Sequence, residues 1–210
     1  MLISNCPGLE SLQLYMERYT ESYSLEKVTT WMTAGVTIQC LRKLHLWGNI
    51  EIDEASFVSP LDTERYHFKD FLARHPRIEE LTLGCTALRG FYGATNPECL
   101  AQVLPSLKRF SGPDCLCDLL IRSSLAKQLE YLTIEDVGFR SGKCFGPSKE
   151  YNVLALAALQ ELDIGTEIFP RALIILNAIL PVAPELKRLG LSPVPPRHVS
   201  SLSLVNKFGY

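Results

Sequence analysis

The sequence predicts an α/β solenoid of about seven irregular units, each a short strand followed by a helix. Stacked, these would form a curved parallel sheet with the helices outside. Three observations predict it. The spacing apolar-x-x-apolar-x-apolar occurs seven times in order between Leu9 and Leu191, with Gly112 standing in for one apolar residue. In four of the seven units a proline lies two residues before the first apolar position. Several intervening segments carry apolar residues at helical spacing.

The strands follow in chain order. Leu9, Leu12 and Leu14 make the first triplet, within Cys6–Leu14. Leu41, Leu44 and Leu46 repeat it, with Asn49 in the ninth position. Ile78, Leu81 and Leu83 come next. Leu107, Phe110 and Gly112 are a weaker copy, with Cys115 ninth. Leu129, Leu132, Ile134; Leu159, Leu162, Ile164; and Leu186, Leu189, Leu191 complete the series. The first positions are spaced by 32, 37, 29, 22, 30 and 27 residues. Residues two apart share one face of a strand, so the last two members of each triplet face inward.

Parallel strands need a crossover between them, and helices are expected there. Within 65–74, Phe68, Phe71 and Leu72 fall at i, i+3, i+4; Leu100, Val103 and Leu104 do so within 97–104. Pro170 suits the first turn of a helix running to about Leu180, where a missing N–H costs little. Pro7, Pro76, Pro105 and Pro184 stop the preceding helix and bias the chain toward extended geometry. Each unit buries its leucines only against its neighbours, so residues 1–210 are expected to form a single stack.

The spacing L-x-x-L-x-L-x-x-N/C resembles the leucine-rich repeat. Glu17, Thr86, Val137, Glu167 and Val194 hold the ninth position where Asn49 and Cys115 do not, and the period is uneven. The proline-led units of irregular length resemble the repeats of fungal F-box proteins. In that family three N-terminal helices, the F-box, bind the Skp adaptor of a cullin-RING ubiquitin ligase, and the repeat arc presents a substrate. The first triplet starts within ten residues of Met1, which leaves no room for an F-box in this sequence. The resemblance therefore implies a substrate-receptor arm for a protein partner, with a Skp-type adaptor involved only where an F-box lies upstream. Met1–Cys6 reads as the tail of a helix whose strand is missing, so the chain is expected to be truncated at its N-terminus. The alternatives are a free-standing repeat scaffold or inhibitor unrelated to ubiquitin, or a truncated, non-functional gene product. In the C-terminal stretch Val199, Leu202 and Leu204 could form a partial cap.

Composition fits this reading. The chain is 47% hydrophobic and 21% charged, with net charge -2, so no basic field recruits nucleic acid or an anionic membrane. The most apolar stretch, Ala172–Ala183, is too short to span a bilayer and is interrupted by Asn177 and Pro181. The N-terminus lacks the charged and apolar regions of a signal peptide. Seven scattered cysteines, an odd number, read as reduced thiols in a cytoplasmic or nuclear protein.

In such an arc the residues alternating with the buried leucines face the concave side. The first of these rows reads Ser11, Lys43, Glu80, Arg109, Tyr131, Glu161, Arg188. Neighbouring strands about 4.8 Å apart would make Lys43–Glu80–Arg109 an ion ladder and Glu161–Arg188 a pair. The partner-binding face is expected to include Tyr15, Lys43, His45, Trp47, Glu80, Arg109, Tyr131, Glu135, Asp163 and Arg188, with the aromatics as anchors. Three insertions, 47–67, 84–98 and 136–152, add Phe91, Tyr92 and Phe145, which either grip a partner or fold back over the sheet edge.

No enzymatic chemistry, cofactor or metal is expected. Gly138–Lys143 has three residues where a phosphate loop needs four, and no Ser or Thr follows the lysine. Cys115-Leu-Cys117 has no second pair at zinc-finger spacing, and His45, His67, His75 and His198 are scattered. Cys85 with His45, or Glu135 with Asp163, could meet across strands. A chance meeting on a repeat surface does not make a nucleophile or a glycosidase pair.

Overall fold

The computed structural model describes residues 6–16, 23–33, 37–53, 55–58, 67–84, 87–89, 96–135, 144–145, 156–166 and 168–193. The elements are β1 (Ser11–Met16), β2 (Tyr23–Ser24), α1 (Leu25–Thr33), β3 (Lys43–Gly48), β4 (Ile50–Asp53), α2 (Ala55–Val58), α3 (His67–Arg74), β5 (Glu80–Leu83), β6 (Ala87–Arg89), α4 (Glu98–Val103), β7 (Arg109–Pro113), α5 (Asp114–Arg122), β8 (Tyr131–Glu135), β9 (Glu161–Gly165), α6 (Phe169–Ile179) and β10 (Arg188–Ser192). Short 3₁₀ turns lie at Ser124–Gln128 and Leu180–Val182.

The fold is α/β. Seven strands form one parallel sheet in the order β1-β3-β5-β7-β8-β9-β10, so each main strand pairs with the next in the chain. The expected triplets supply every one of these strands. Their inward residues Leu44, Leu46, Leu81, Leu83, Leu132, Ile134, Leu162 and Ile164 are buried in one core with Phe68, Phe71 and Leu72 of α3. The weak fourth triplet has a physical reason. Phe110 is buried beside Gly112, and a Cβ on Gly112 would lie 2.8 Å from the Phe110 ring. A phenyl ring and a missing side chain share the space that two leucines fill elsewhere.

The proline signal has a sharper cause than helix termination alone. In six of the seven units the first apolar residue donates its N–H back three residues, closing a turn: Leu9 to Cys6, Leu41 to Ile38, Ile78 to His75, Leu107 to Leu104, Leu159 to Leu156 and Leu186 to Ala183, at 3.1–3.3 Å. Pro7, Pro76, Pro105 and Pro184 occupy the second turn position, where their fixed φ is pre-set. The next two N–H groups then share one carbonyl of the preceding strand. Arg42 and Lys43 donate to Glu10 O, and Glu79 and Glu80 to Arg42 O. The same fork recurs at every later junction of the main sheet. This fixes the register of all seven strands.

Two features correct the expectation that 47–67 and 84–98 are plain insertions. Residues 50–53 and 87–89 are strands β4 and β6, and with β2 they form a second parallel sheet of order β2-β4-β6. Gly48 makes the corner from β3 into β4 at φ 111°, and a Cβ there would lie 2.0 Å from Met16 O. Only glycine fits both constraints. Helices α1 and α5 were not anticipated as elements. The α1 carboxylate of Glu26 accepts from the Phe68 N–H at the start of α3 (3.2 Å), and burial pushes its pKa up. Glu98 of α4 likewise accepts from Ser124 N–H (2.8 Å) and Ser124 Oγ (2.7 Å). In both cases a helix carboxylate accepts from the first residues of a later helical segment, α3 in one and the 3₁₀ turn at Ser124–Gln128 in the other.

Phe145 and Cys144 of the third insertion are buried in the core. Phe145 is therefore part of the core rather than exposed to grip a partner. Phe91, Tyr92 and Cys85, with the Gly138–Lys143 loop and residues 194–210, lie outside the described residues. No helix among the described residues is long and apolar enough to cross a membrane.

Candidate functional site

The face of the main sheet opposite the leucines carries three rows of side chains. Row one places Ser11, Lys43, Glu80, Arg109, Tyr131, Glu161 and Arg188 side by side on consecutive strands, as counted from the sequence. Row two is Gln13, His45, Thr82, Ser111, Thr133, Asp163 and Gly190. Row three divides: Tyr15 lies beside Trp47 at one end, and Pro113, Glu135, Gly165 and Ser192 run together at the other.

The expected ion ladder forms only in part. Lys43 Nζ meets Glu80 at 3.4 Å, and Arg188 pairs with Glu161. Arg109 turns away from Glu80 and lies over the Tyr131 ring, 5.9 Å from its centroid. The cation–π position is available because Tyr131 is its register partner. A parallel ladder one residue earlier was missed: Arg42–Glu79 at 2.8 Å, Lys108–Glu130 at 3.9 Å and Lys187–Gln160 at 3.3 Å. Counting one residue back from row one would have found it.

The N-terminal end of the face is aromatic. Tyr15 is 65% exposed. Trp47 is half-buried and stacks on His45, with ring centroids 5.1 Å apart. His45 is only 8% exposed; its Nδ1 is 2.9 Å from Thr82 Oγ1 and its Nε2 3.6 Å from Glu80. Burial lowers its pKa despite that carboxylate. His45, expected to face a partner, instead props Trp47 from below. Trp47 packs on this ring.

The C-terminal end is a hydrogen-bonded cluster. Tyr131 OH donates to Asp163 Oδ2 at 3.1 Å and accepts from Thr133 Oγ1 at 2.8 Å. Gly190 leaves room for Asp163: a Cβ there would lie 1.9 Å from Asp163 Oδ1. Glu135 corrects the expectation. It is 5% exposed and takes a long 3.5 Å contact from Ser111 Oγ, so it belongs to the interior.

Sequence reasoning missed two buried polar contacts behind this face. His75 Nε2 accepts from the Ile38 N–H (2.8 Å) and its Nδ1 meets Phe71 O (2.6 Å). Asp114 at the start of α5 pairs with Arg171 of α6 at 2.8 Å. Cys117 packs as a thiol, with Sγ 3.5 Å from Gly112 O and 3.6 Å from Thr133 O, and burial pushes its pKa far up. Burial of this kind favours the neutral thiol over the thiolate that nucleophilic and metal-binding chemistry use. No cluster of three or more His, Cys, Asp or Glu among the described residues is placed to hold a metal.

Comparison with family models, with curated proteins and with solved structures finds no match.

Proposed function

We propose that the chain is an irregular leucine-rich repeat solenoid acting as a non-enzymatic protein-recognition arm. Its binding surface is the concave side of the main sheet, with Tyr15 and Trp47 as anchors. The observation that carries this reading is the Tyr15–Trp47 pair. Two large aromatics stand in register on adjacent strands of an open face, with Trp47 held in place by His45. Rigid aromatics offer contact area at low entropic cost, and interfaces draw most of their energy from such side chains. Lys43, Glu80, Arg109 and Arg188 spread mixed charge across row one of the same face, which selects a partner more than it tightens binding.

The finer reading follows the resemblance in the sequence. The arm presents a protein substrate to a ubiquitin ligase of the F-box type, and a Skp-type adaptor joins only through an F-box upstream of this sequence. The test has two parts. The chain is used as bait against a fungal lysate beside its Tyr15→Ala/Trp47→Ala variant. Proteins retained by the wild type should be lost from the variant while the circular dichroism spectrum is unchanged. Equal capture by both would overturn the concave-face reading. Mapping the 5′ end of the transcript then decides the ligase assignment: an in-frame three-helix extension supports it, and a start at Met1 removes it.

A further inference from the structure

His45 and His75 are both buried, but the atoms around them treat a second proton differently. His75 Nε2 accepts from the Ile38 amide N–H, which can only donate, so a proton on Nε2 would break that contact. His45 is bounded by groups that can serve either state. Its Nδ1 lies 2.9 Å from Thr82 Oγ1 and its Nε2 3.6 Å from Glu80 Oε1. A carboxylate only accepts, so Nε2 carries the proton of the neutral ring and Nδ1 accepts from the Thr82 hydroxyl. A second proton, on Nδ1, needs only that hydroxyl to rotate and accept in its turn. Trp47 stacks on the ring with the planes 22° apart, and an indole face suits a cation as well as a neutral ring.

Glu80 stands between two cationic groups. Its Oε1 faces His45 and its Oε2 lies 3.4 Å from Lys43 Nζ. The three side chains are graded in depth: Lys43 is 55% exposed, Glu80 24% and His45 11%. Burial, the largest influence, and Lys43 of β3 oppose the imidazolium; Glu80 of β5 favours it; β1 sets the neutral Gln13 alongside in register. His45 therefore takes up its proton at a lower pH than an unfolded histidine does.

We propose that His45 is a proton switch that reassigns Glu80, and with it the charge presented beside Tyr15 and Trp47. While the ring is neutral, Glu80 answers Lys43 and the three side chains together carry no net charge. When the ring takes a proton from water, the carboxylate closes on Nε2–H, and the three carry one positive charge. That charge is presented on Lys43, the most exposed of them. The surface then fits a carboxylate of the partner, on an acidic segment crossing β3 and β5 next to the aromatic anchors. Affinity for such a segment rises as the pH falls through the His45 titration, because proton uptake and binding favour one another. The consequence for a partner rests on the concave-face reading; the exchange of Glu80 between Lys43 and His45 does not.

Nuclear magnetic resonance on the isotope-labelled full chain, between about pH 7.5 and 5, tests the switch. The His45 ring, the Glu80 carboxyl carbon and the Lys43 ammonium should show a step at one midpoint, with the circular dichroism spectrum unchanged. Glu80→Gln should weaken proton binding by His45 at least about fivefold, the effect of one charge about 4 Å away even in water. His45→Asn should remove the step from Glu80 and Lys43. A short oligoglutamate peptide, as the carboxylate probe, should perturb the Lys43 signal at about threefold lower concentration at pH 5.5 than at pH 7.5, a gain that His45→Asn loses. A ring that stays neutral throughout would overturn the proposal. So would a midpoint that ignores Glu80→Gln, a Lys43 signal that ignores the His45 step, or unfolding before the ring titrates. No gain with the peptide, or a gain kept in His45→Asn, would overturn the acidic-segment assignment. Equal capture by the Tyr15→Ala/Trp47→Ala variant would instead strike the concave-face reading and leave the titration standing.

Discussion

Two buried polar contacts fasten different units of the molecule, one in each half, and they are built from opposite chemistry. In the N-terminal half His75, at the end of α3, reaches back to the Ile38 N–H ahead of β3. An amide N–H can only donate, so Nε2 is the acceptor and Nδ1 carries the proton toward Phe71 O. The ring is therefore neutral. In the C-terminal half the Asp114–Arg171 pair joins the first turns of α5 and α6, and both partners are charged. A neutral ring satisfied on both nitrogens costs little to bury. An ion pair costs desolvation of two charges and is sound only while both are present. The two contacts do one job and should fail in different ways.

The largest effect is expected from the ionic contact. Arg171→Ala leaves the fully buried Asp114 without this cation and should cost about 3–5 kcal/mol in urea denaturation. Asp114→Asn/Arg171→Met removes both charges and should recover much of that loss. If the double variant is no more stable than Arg171→Ala, the contact is not limited by charge burial and the contrast fails.

The histidine contact should give a smaller loss with a distinctive pH dependence. His75→Ala strands the Ile38 N–H and should cost about 1–3 kcal/mol at pH 7.5. Burial lowers the folded-state pKa of His75 below its ordinary value. The unfolded ring then takes up a proton near pH 6.5 while the folded ring resists it. The stabilisation is fully present above that pH and is lost as pH falls below it, by up to about 1.4 kcal/mol per pH unit. His45 shifts in the same direction, so the wild-type slope contains both. Urea titrations between pH 7.5 and 5.5 should show a shallower slope for His75→Ala, shallower still with His45→Ala. An unchanged slope would mean that the histidines do not control acid stability.

These contacts also mark how far the sequence could be read. The main sheet was legible because its period-2 leucines recur and its strands pair in chain order. Row one could be counted residue by residue, since a one-residue slip would turn every leucine outward. The second sheet was not legible. β2 has two residues and β6 three, too few to show alternation, and their pairing with β4 is non-local. α5 left a signal that was passed over: Asp114, Asp118 and Arg122 recur at i, i+4 and i+8 among apolar residues, and Arg122 pairs with Asp118 at 2.8 Å. His75 left a signal that was passed over: it continues the buried stripe Phe68, Phe71, Leu72. The Arg109–Tyr131 contact was beyond counting, because register names neighbours and does not decide between an ion pair and a cation–π contact.

A smaller effect sharpens the contrast between the two ends of the open face. Tyr131 is tied by two hydrogen bonds and by Arg109; Trp47 rests only on a ring stack among the contacts described. Tyr131→Phe should lower stability by about 1 kcal/mol, with partner capture kept. Trp47→Ala should weaken capture and cost less stability than a core aromatic would. The reverse pattern would move the anchor of the proposed interface to the C-terminal end.

The smallest effect concerns the charge ladders. Lys43 and Glu80 are both solvent-accessible, and their 3.4 Å contact is of the kind worth about 0–1 kcal/mol. A double-mutant cycle with Lys43→Ala and Glu80→Ala should give a coupling inside that range that fades on raising salt from 0.05 to about 1 M, as screening shortens to a few ångströms. His45 complicates the cycle usefully, because Glu80 also lies 3.6 Å from its Nε2. Repeating the cycle at pH 5.5, toward protonation of His45, should leave the Lys43 coupling smaller, since two cations then share one carboxylate. A coupling above about 2 kcal/mol that resists salt would mean the pair is shielded from solvent. Row one would then be a structural brace for the sheet rather than an open, mixed-charge strip.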